Sequence, residues 1–247
     1  MRYLSKFTPF LATVMLAGSS LWLPESAASN TVESRLSETD AEISLETGSE
    51  TLIAQDNLRR LNRNQNQQLS DEQTEELSRL LGDAQRRIDS GDYAGAIALY
   101  QQAIQVNRDN PLLYSGIAFL QVRQGNFAAA TDYYRLALER DSRNLPFRYG
   151  LAHSLFMDER YEQSADAYRD LLDISPREAD AFVGLGGSLL RLDRYDDART
   201  AYERAVNIAP NNAQAHEAIG MLYLAQENYD AAVRPLQQAL ALDDNRS

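Results

Sequence analysis

The chain contains no cysteine, and it has only one lysine and two histidines among its 247 residues. The absence of cysteine excludes disulfide bonds, cysteine nucleophiles and thiolate metal sites. His153 and His216 lie 63 positions apart, too far for a short metal-binding motif. The sequence also lacks the GxGxxG, phosphate-loop, GxSxG and HExxH motifs. We therefore predict a protein that has no enzymatic activity, no metal site and no cofactor.

Positive charge is scarce, and the formal net charge is −12. Lys6 is the only lysine, so every other basic side chain is an arginine. A nucleic-acid partner requires a basic face, and anionic lipid has the same requirement. We predict that neither is bound directly. We interpret the acidity as a contribution to solubility, with attraction to a basic protein partner as the alternative.

Residues 1–28 have the pattern of a secretory signal. Arg2 and Lys6 precede an apolar run from Phe7, and Ser26-Ala27-Ala28 supplies the small residues of a cleavage site. Cleavage after Ala28 would leave an exported chain, periplasmic or secreted, with a net charge of −13. The alternative is a retained membrane anchor, although the apolar segment is shorter than the ~20 residues of a typical span.

A polar region separates this leader from the first amphipathic helix. Residues 29–51 are acidic and rich in serine and threonine, and residues 52–69 become rich in asparagine and glutamine. We predict that 29–69 is a disordered linker, because it has too little apolar surface to offset the entropy of ordering. A short helix or a polar oligomerisation segment within 52–69 is the alternative. Ser70 and Gln73 form a capping box, which places the start of the ordered domain at residue 70.

Five blocks of 34 residues follow one another without insertion or deletion. Small residues fill columns 8 and 20 of every block, and aromatic residues fill columns 17 and 24 in all but one instance. Each block carries two apolar stripes of helical period separated by a polar or glycine turn near column 15, so each block is a helical hairpin. The blocks are 77–110, 111–144, 145–178, 179–212 and 213–246.

The columns have a direct physical interpretation. Small side chains at columns 8 and 20 let the two helices of a hairpin approach closely, and the aromatic rings fill the space between neighbouring hairpins. A single hairpin cannot bury such a face alone, so the blocks must stack. His216 falls in a core column, where we expect a packed imidazole with one satisfied nitrogen.

The 34-residue period and the small and aromatic columns resemble those of the tetratricopeptide repeat (TPR) family. The resemblance covers residues 77–246 and implies an all-α fold, a right-handed solenoid of about five helix-turn-helix repeats within residues 70–246. Arg148 and His216 depart from the aromatic character of column 4, where that family often has tryptophan, and Asp83 departs from its leucine column.

The same resemblance implies a concave groove lined by the first helices of successive repeats, at columns 2, 5, 9, 12 and 13. These columns lack the lysine and asparagine with which some relatives hold a terminal carboxylate, so we do not expect that ligand. Partial packing of these side chains in the core is the alternative to a binding role. The predicted groove residues are Phe119, Val122, Arg123, Tyr149, His153, Phe156, Met157, Leu190, Arg191 and Met221.

The function predicted from these observations is a protein–protein interaction scaffold or assembly adaptor of the cell envelope. It would bind a peptide or helix of a protein partner in the groove. A membrane-tethered adaptor that keeps its N-terminal anchor is the alternative. The fifth block carries apolar residues on its outer face, including Val233, Leu236, Leu240 and Leu242. These predict weak self-association through the C-terminal repeat, unless another partner covers them or Pro235 bends the helix inward.

Overall fold

The computed structural model describes residues 69–244, and the predicted signal peptide and nearly all of the predicted linker lie outside this range. Ten helices and no strand occur within it. They are α1 (Asp71–Asp89), α2 (Tyr93–Val106), α3 (Pro111–Arg123), α4 (Phe127–Arg140), α5 (Leu145–Met157), α6 (Tyr161–Ile174), α7 (Ala179–Arg191), α8 (Tyr195–Ile208), α9 (Ala213–Ala225) and α10 (Tyr229–Asp244).

The odd-numbered helices are the first helices of the five hairpins, and the even-numbered helices are the second. This arrangement confirms the all-α repeat predicted from the 34-residue period. Ser70 caps α1, and its side chain accepts a hydrogen bond from the backbone N–H of Gln73 while the Gln73 side chain bonds back to Ser70. The capping box expected from the sequence is therefore present. Asn110, Asn144 and Asn212 cap α3, α5 and α9 in a similar way, each through its side-chain oxygen.

The turn inside every hairpin has a left-handed residue at column 15. Gly91 and Gly125 fill this position in the first two hairpins, with φ near 78° and 77°. Glu159, Asp193 and Glu227 take φ values of 60°, 57° and 58° at the equivalent place. A non-glycine residue pays about 1–2 kcal/mol for this conformation, so the packing of the two helices, rather than glycine alone, determines the turn.

The small columns allow close helix contact, as the sequence predicts. The alanines of columns 8 and 20 are fully buried, for example Ala118 and Ala130. A second contact joins neighbouring hairpins, because a column 24 tyrosine lies against a column 6 glycine of the next block. A Cβ atom at that glycine would overlap the tyrosine ring. The pairs are Tyr100 with Gly116, Tyr134 with Gly150 and Tyr168 with Gly184.

Column 4 holds three chemically different side chains that make the same bond. The Tyr114 hydroxyl donates to the Arg108 carbonyl at 3.0 Å. The Arg148 guanidinium donates to the Ser142 carbonyl, and Nε2 of His216 lies 2.8 Å from the Pro210 carbonyl. Each acceptor precedes its partner by six residues. The expectation of a packed His216 with one satisfied nitrogen is confirmed, since the side chain is buried.

Four of the first helices, α3, α5, α7 and α9, form one continuous layer. Besides the contacts between consecutive helices, α3 contacts α5, α5 contacts α7, and α7 contacts α9. Residues of the groove columns on these helices therefore lie on adjoining surfaces. The central core lies beneath them and includes Leu171, Leu185 and Leu222.

Candidate functional site

The ten residues predicted for the groove lie on four first helices that contact one another in sequence. Helix α3 carries the first three, α5 the next four, α7 Leu190 and Arg191, and α9 Met221. We call this set the first-helix face. Seven of its members are half-buried, the two arginines are exposed, and His153 is buried. The half-buried members are therefore shared between the core and the surface of the first helices.

Phe119 and Tyr149 each pack partly against the core and remain partly accessible. Phe119 packs against the cluster that contains Ile97 and Ile117, and Tyr149 packs against the central core. The Tyr149 ring meets Tyr168 edge to face, with 6.4 Å between the ring centroids. Its hydroxyl donates to the Glu178 carboxylate at 3.5 Å. Burial, together with this carboxylate, raises the pKa of Tyr149 well above its usual value. Tyr149 is therefore a neutral, half-buried ring on the first-helix face.

The two arginines have a role that the sequence interpretation missed. Arg191 lies over the Tyr161 ring at 4.6 Å, and Arg123 lies over the Tyr93 ring at 5.8 Å. Arg123 also donates to the Tyr93 hydroxyl at 3.2 Å. In both cases a column 13 arginine covers a column 17 tyrosine of the preceding hairpin. The sequence did contain a signal for this contact, because an arginine follows a tyrosine by 30 residues in both cases. Each guanidinium is positioned by cation–π contact.

Phe156 and Gly187 lie side by side at the middle of this face. The Phe156 ring meets Tyr161 at 5.4 Å between centroids. A Cβ atom placed at Gly187 would lie 3.7 Å from Phe156 Cε2 and 3.9 Å from the Tyr202 hydroxyl, both ordinary contacts. At positions 184 and 186, by contrast, glycine is required, because a tyrosine ring occupies the space that a Cβ atom would need. No contact among the described residues requires glycine at 187, and a Cβ atom would fit there beside Phe156. We call this position the notch.

His153 lies deeper than a groove residue of the predicted kind. The side chain is 8% exposed, and neither ring nitrogen has a hydrogen-bond partner or access to solvent in the described part of the chain. Desolvation lowers the pKa of His153 to about 4, so the imidazole is neutral at physiological pH. This histidine supports the face from beneath, because its polar atoms do not reach the surface.

The first-helix face contains no group of three or more potential metal ligands, nor does any other part of residues 69–244. Within the same residues, no helix has both the length and the apolar composition needed to cross a bilayer. A continuous layer of first helices with an apolar surface, on a stack of helical hairpins, is the architecture of a protein-interaction scaffold.

Two family models match the chain. The tetratricopeptide repeat model matches residues 177–245. The model described as "Surface lipoprotein assembly modifier, N-terminal TPR repeats" matches residues 62–168. Together with the observed hairpins, these matches establish that the chain is a TPR protein. Among curated protein sequences, none is significantly similar to the chain.

Solved structures of TPR proteins share the fold. A crystal structure of MamA is 23% identical, with a TM-score of 0.59, over 66% of this chain and 95% of that one. MamA 41-end from Desulfovibrio magneticus RS-1 is 14% identical, with a TM-score of 0.64, over 72% and 99%. YrrB, described as a TPR protein with an unusual peptide-binding site, is 20% identical, with a TM-score of 0.54, over 66% and 84%. At these identities the likeness concerns the fold alone.

Proposed function

We propose that the chain is a non-enzymatic scaffold or assembly adaptor that binds a peptide or helix of a protein partner along the first-helix face. Phe119, Tyr149 and Phe156 are the aromatic anchors, and Arg123 and Arg191 lie at one edge. Rigid aromatic side chains give large contact area at a small entropic cost, so they are well suited to this role.

The observation that carries the proposal is the notch at Gly187. In a helix, glycine is less stable than alanine by about 1 kcal/mol, and Gly184 and Gly186 each have a tyrosine that accounts for them. Among residues 69–244, no neighbouring side chain accounts for a glycine at position 187. A partner side chain that enters beside Phe156 would use the vacant volume, since Gly187 is half-buried and lies on the exposed side of α7.

The comparisons support the proposal in two ways. YrrB is described as having a peptide-binding site on the same fold. The family model that matches residues 62–168 takes its name from surface lipoprotein assembly. Together with the predicted signal segment, the second match supports a location in the cell envelope, as an exported periplasmic or secreted protein.

The test adds bulk to the groove instead of removing it, because truncation of half-buried rings would also disturb the core. A phage-displayed random peptide library is selected on the full chain, and enriched peptides are synthesised and titrated by fluorescence anisotropy. Gly187→Leu fills the notch, and Asp170→Leu is the matched control because it places the same side chain on the exposed face of α6.

We expect enriched peptides with large apolar residues whose binding is weakened at least about tenfold by Gly187→Leu and is unchanged by Asp170→Leu. Circular dichroism should show both variants folded. Selection of no peptide, or equal binding to both variants, would place the partner surface elsewhere and reject the proposal.

The location is tested separately by the intact mass of the native protein. A mass corresponding to residues 29–247 supports an exported, released protein. Retention of residues 1–28 in the membrane fraction supports the membrane-tethered adaptor instead.

A further inference from the structure

Helix α10 exposes an apolar stripe. Tyr229 is 65% exposed, Val233 is 50% exposed and Leu240 is 63% exposed. At 100° per residue these three positions fall within roughly 40° of one another around the helix. We call them the α10 stripe. Leu236 and Leu242, which the sequence also placed on this face, are half-buried, and Leu236 packs toward Gly220 of its own hairpin.

The equivalent positions of the other hairpins are covered. The stripe occupies columns 17, 21 and 28, where the preceding blocks pack against the first helix that follows them. Column 17 is half-buried at Tyr93, Phe127, Tyr161 and Tyr195, and column 28 is half-buried at Ile104, Leu138, Leu172 and Val206. Column 21 is buried at Ile97, Thr131 and Ala165. The α10 stripe thus has the residue pattern of a hairpin interface.

We propose that the α10 stripe pairs with the same stripe of a second copy of the chain. Large exposed apolar side chains in the described residues are limited to these three and Ile208. Every exposed residue of α1 is polar or charged, so this helix presents no exposed apolar side chain to the α10 stripe. The matching surface that a second copy presents is its own α10 stripe, which makes the contact symmetric and closes the assembly at two copies.

An antiparallel arrangement follows from the positions along the helix. A twofold axis midway between Val233 and Leu240 places Val233 against the partner subunit's Leu240, and the reverse pair forms on the other side of the axis. This contact is independent of the first-helix face, so a dimer would leave that face available.

The contact should be weak and should strengthen with salt. The three side chains expose on the order of 300 Å² per copy, well below the ~800 Å² per partner of a standard interface. Each copy also carries a net charge of −12, so the two copies repel one another at low ionic strength. Screening removes this repulsion without weakening an apolar contact.

The experiment is sedimentation equilibrium of the full chain over a wide concentration range at low and high salt. Leu240→Glu places a charge in the stripe, and Gln238→Glu is the matched control because it adds the same charge to the same helix about 160° away. We expect a reversible dimer that tightens with salt, that Leu240→Glu weakens by at least about tenfold and that Gln238→Glu leaves unchanged.

The lack of native cysteine allows a geometric check. A mixture of Val233→Cys and Leu240→Cys chains should form the 233–240 disulfide faster than either variant links to itself, and Gln238→Cys should not crosslink. A monomer at every concentration and salt, or a dimer that tolerates Leu240→Glu, overturns the proposal. Crosslinking that favours identical positions overturns the antiparallel arrangement.

Discussion

Gly184 and Gly187 lie on the same helix, yet replacing each with alanine should have opposite effects on stability. At Gly187 the new methyl group makes only ordinary contacts at 3.7 and 3.9 Å. The substitution removes the backbone freedom of a helical glycine, so we expect the free energy of unfolding to rise by about 0.5–1 kcal/mol.

At Gly184 the same helical gain is opposed by a clash. The new Cβ atom would overlap the Tyr168 ring and hydroxyl, and Tyr168 is 5% exposed, so the ring has little room to move. Overpacking of this kind costs about 1–3 kcal/mol. We therefore expect a net loss of up to ~2 kcal/mol at Gly184. The two alanine variants should differ by about 1–3 kcal/mol, because both share the helical gain and only one has the clash.

Urea unfolding followed by circular dichroism measures both variants against the parent chain. A further comparison assigns the cause: in a Tyr168→Leu background, Gly184→Ala should lose most of its penalty because the shorter side chain leaves space. Equal effects of the two alanine substitutions, or a Gly184 penalty that persists without the tyrosine ring, would refute the proposed role of the column 6 glycines.

Three further predictions concern single positions. Glu159→Gly should stabilise the chain by about 1 kcal/mol, because glycine relieves the left-handed backbone of the third turn. His153→Phe should reduce the loss of stability in acid. The folded chain holds the pKa of His153 near 4, below its usual 6.5, so the unfolded chain binds the extra proton and stability falls as the pH drops from about 6.5 toward 4. The difference from the variant should reach about 2 kcal/mol at pH 4.5. Phe182→Tyr should add about 1 kcal/mol by giving column 4 of the fourth block a hydroxyl donor for the Pro176 carbonyl.

Each of these is measured by urea unfolding, with the His153 pair compared from pH 7 to 4.5 so that the carboxylate titrations cancel. Destabilisation by Glu159→Gly would show that its side chain, and not its backbone, matters at the turn. A pH profile that is unchanged by His153→Phe would exclude a buried neutral imidazole. A neutral Phe182→Tyr substitution would mean that the ring does not follow the path of Tyr114.

Most of the fold could be predicted because the constraints are local and repeated. The spacing of Ala118 and Ala130 within one block already requires two close helices, and the capping box at Ser70 marks the start of α1. The left-handed turns were less visible. Glycine at positions 91 and 125 indicates a left-handed turn in the sequence. Glu159 has the same left-handed conformation, but its residue type does not predict it, because packing determines this turn.

The candidate site was harder to predict, because a helical stripe in a stacked array is shared between core and surface. Sequence spacing places His153 and Phe156 in the same set, but the imidazole is buried beneath the face while the phenyl ring lies beside the notch. The role of Gly187 becomes apparent only by comparison with Gly184. A tyrosine from the preceding hairpin explains why position 184 is glycine, and no such contact exists at 187 in the part of the chain that the structure describes. Such distinctions require three-dimensional contacts.

The shared bond of column 4 has a consequence for how this sequence should be compared with others. The residue types at this position, Tyr114, Arg148 and His216, are chemically unrelated. A comparison by residue type counts two of them as departures from an aromatic column. Each one nevertheless brings a donor to the carbonyl six residues before it. The requirement at this position applies to the location of a hydrogen atom, and side chains of different length and chemistry satisfy it. A search that scored donors by their reach, instead of residues by their identity, would recognise these three hairpins as equivalent.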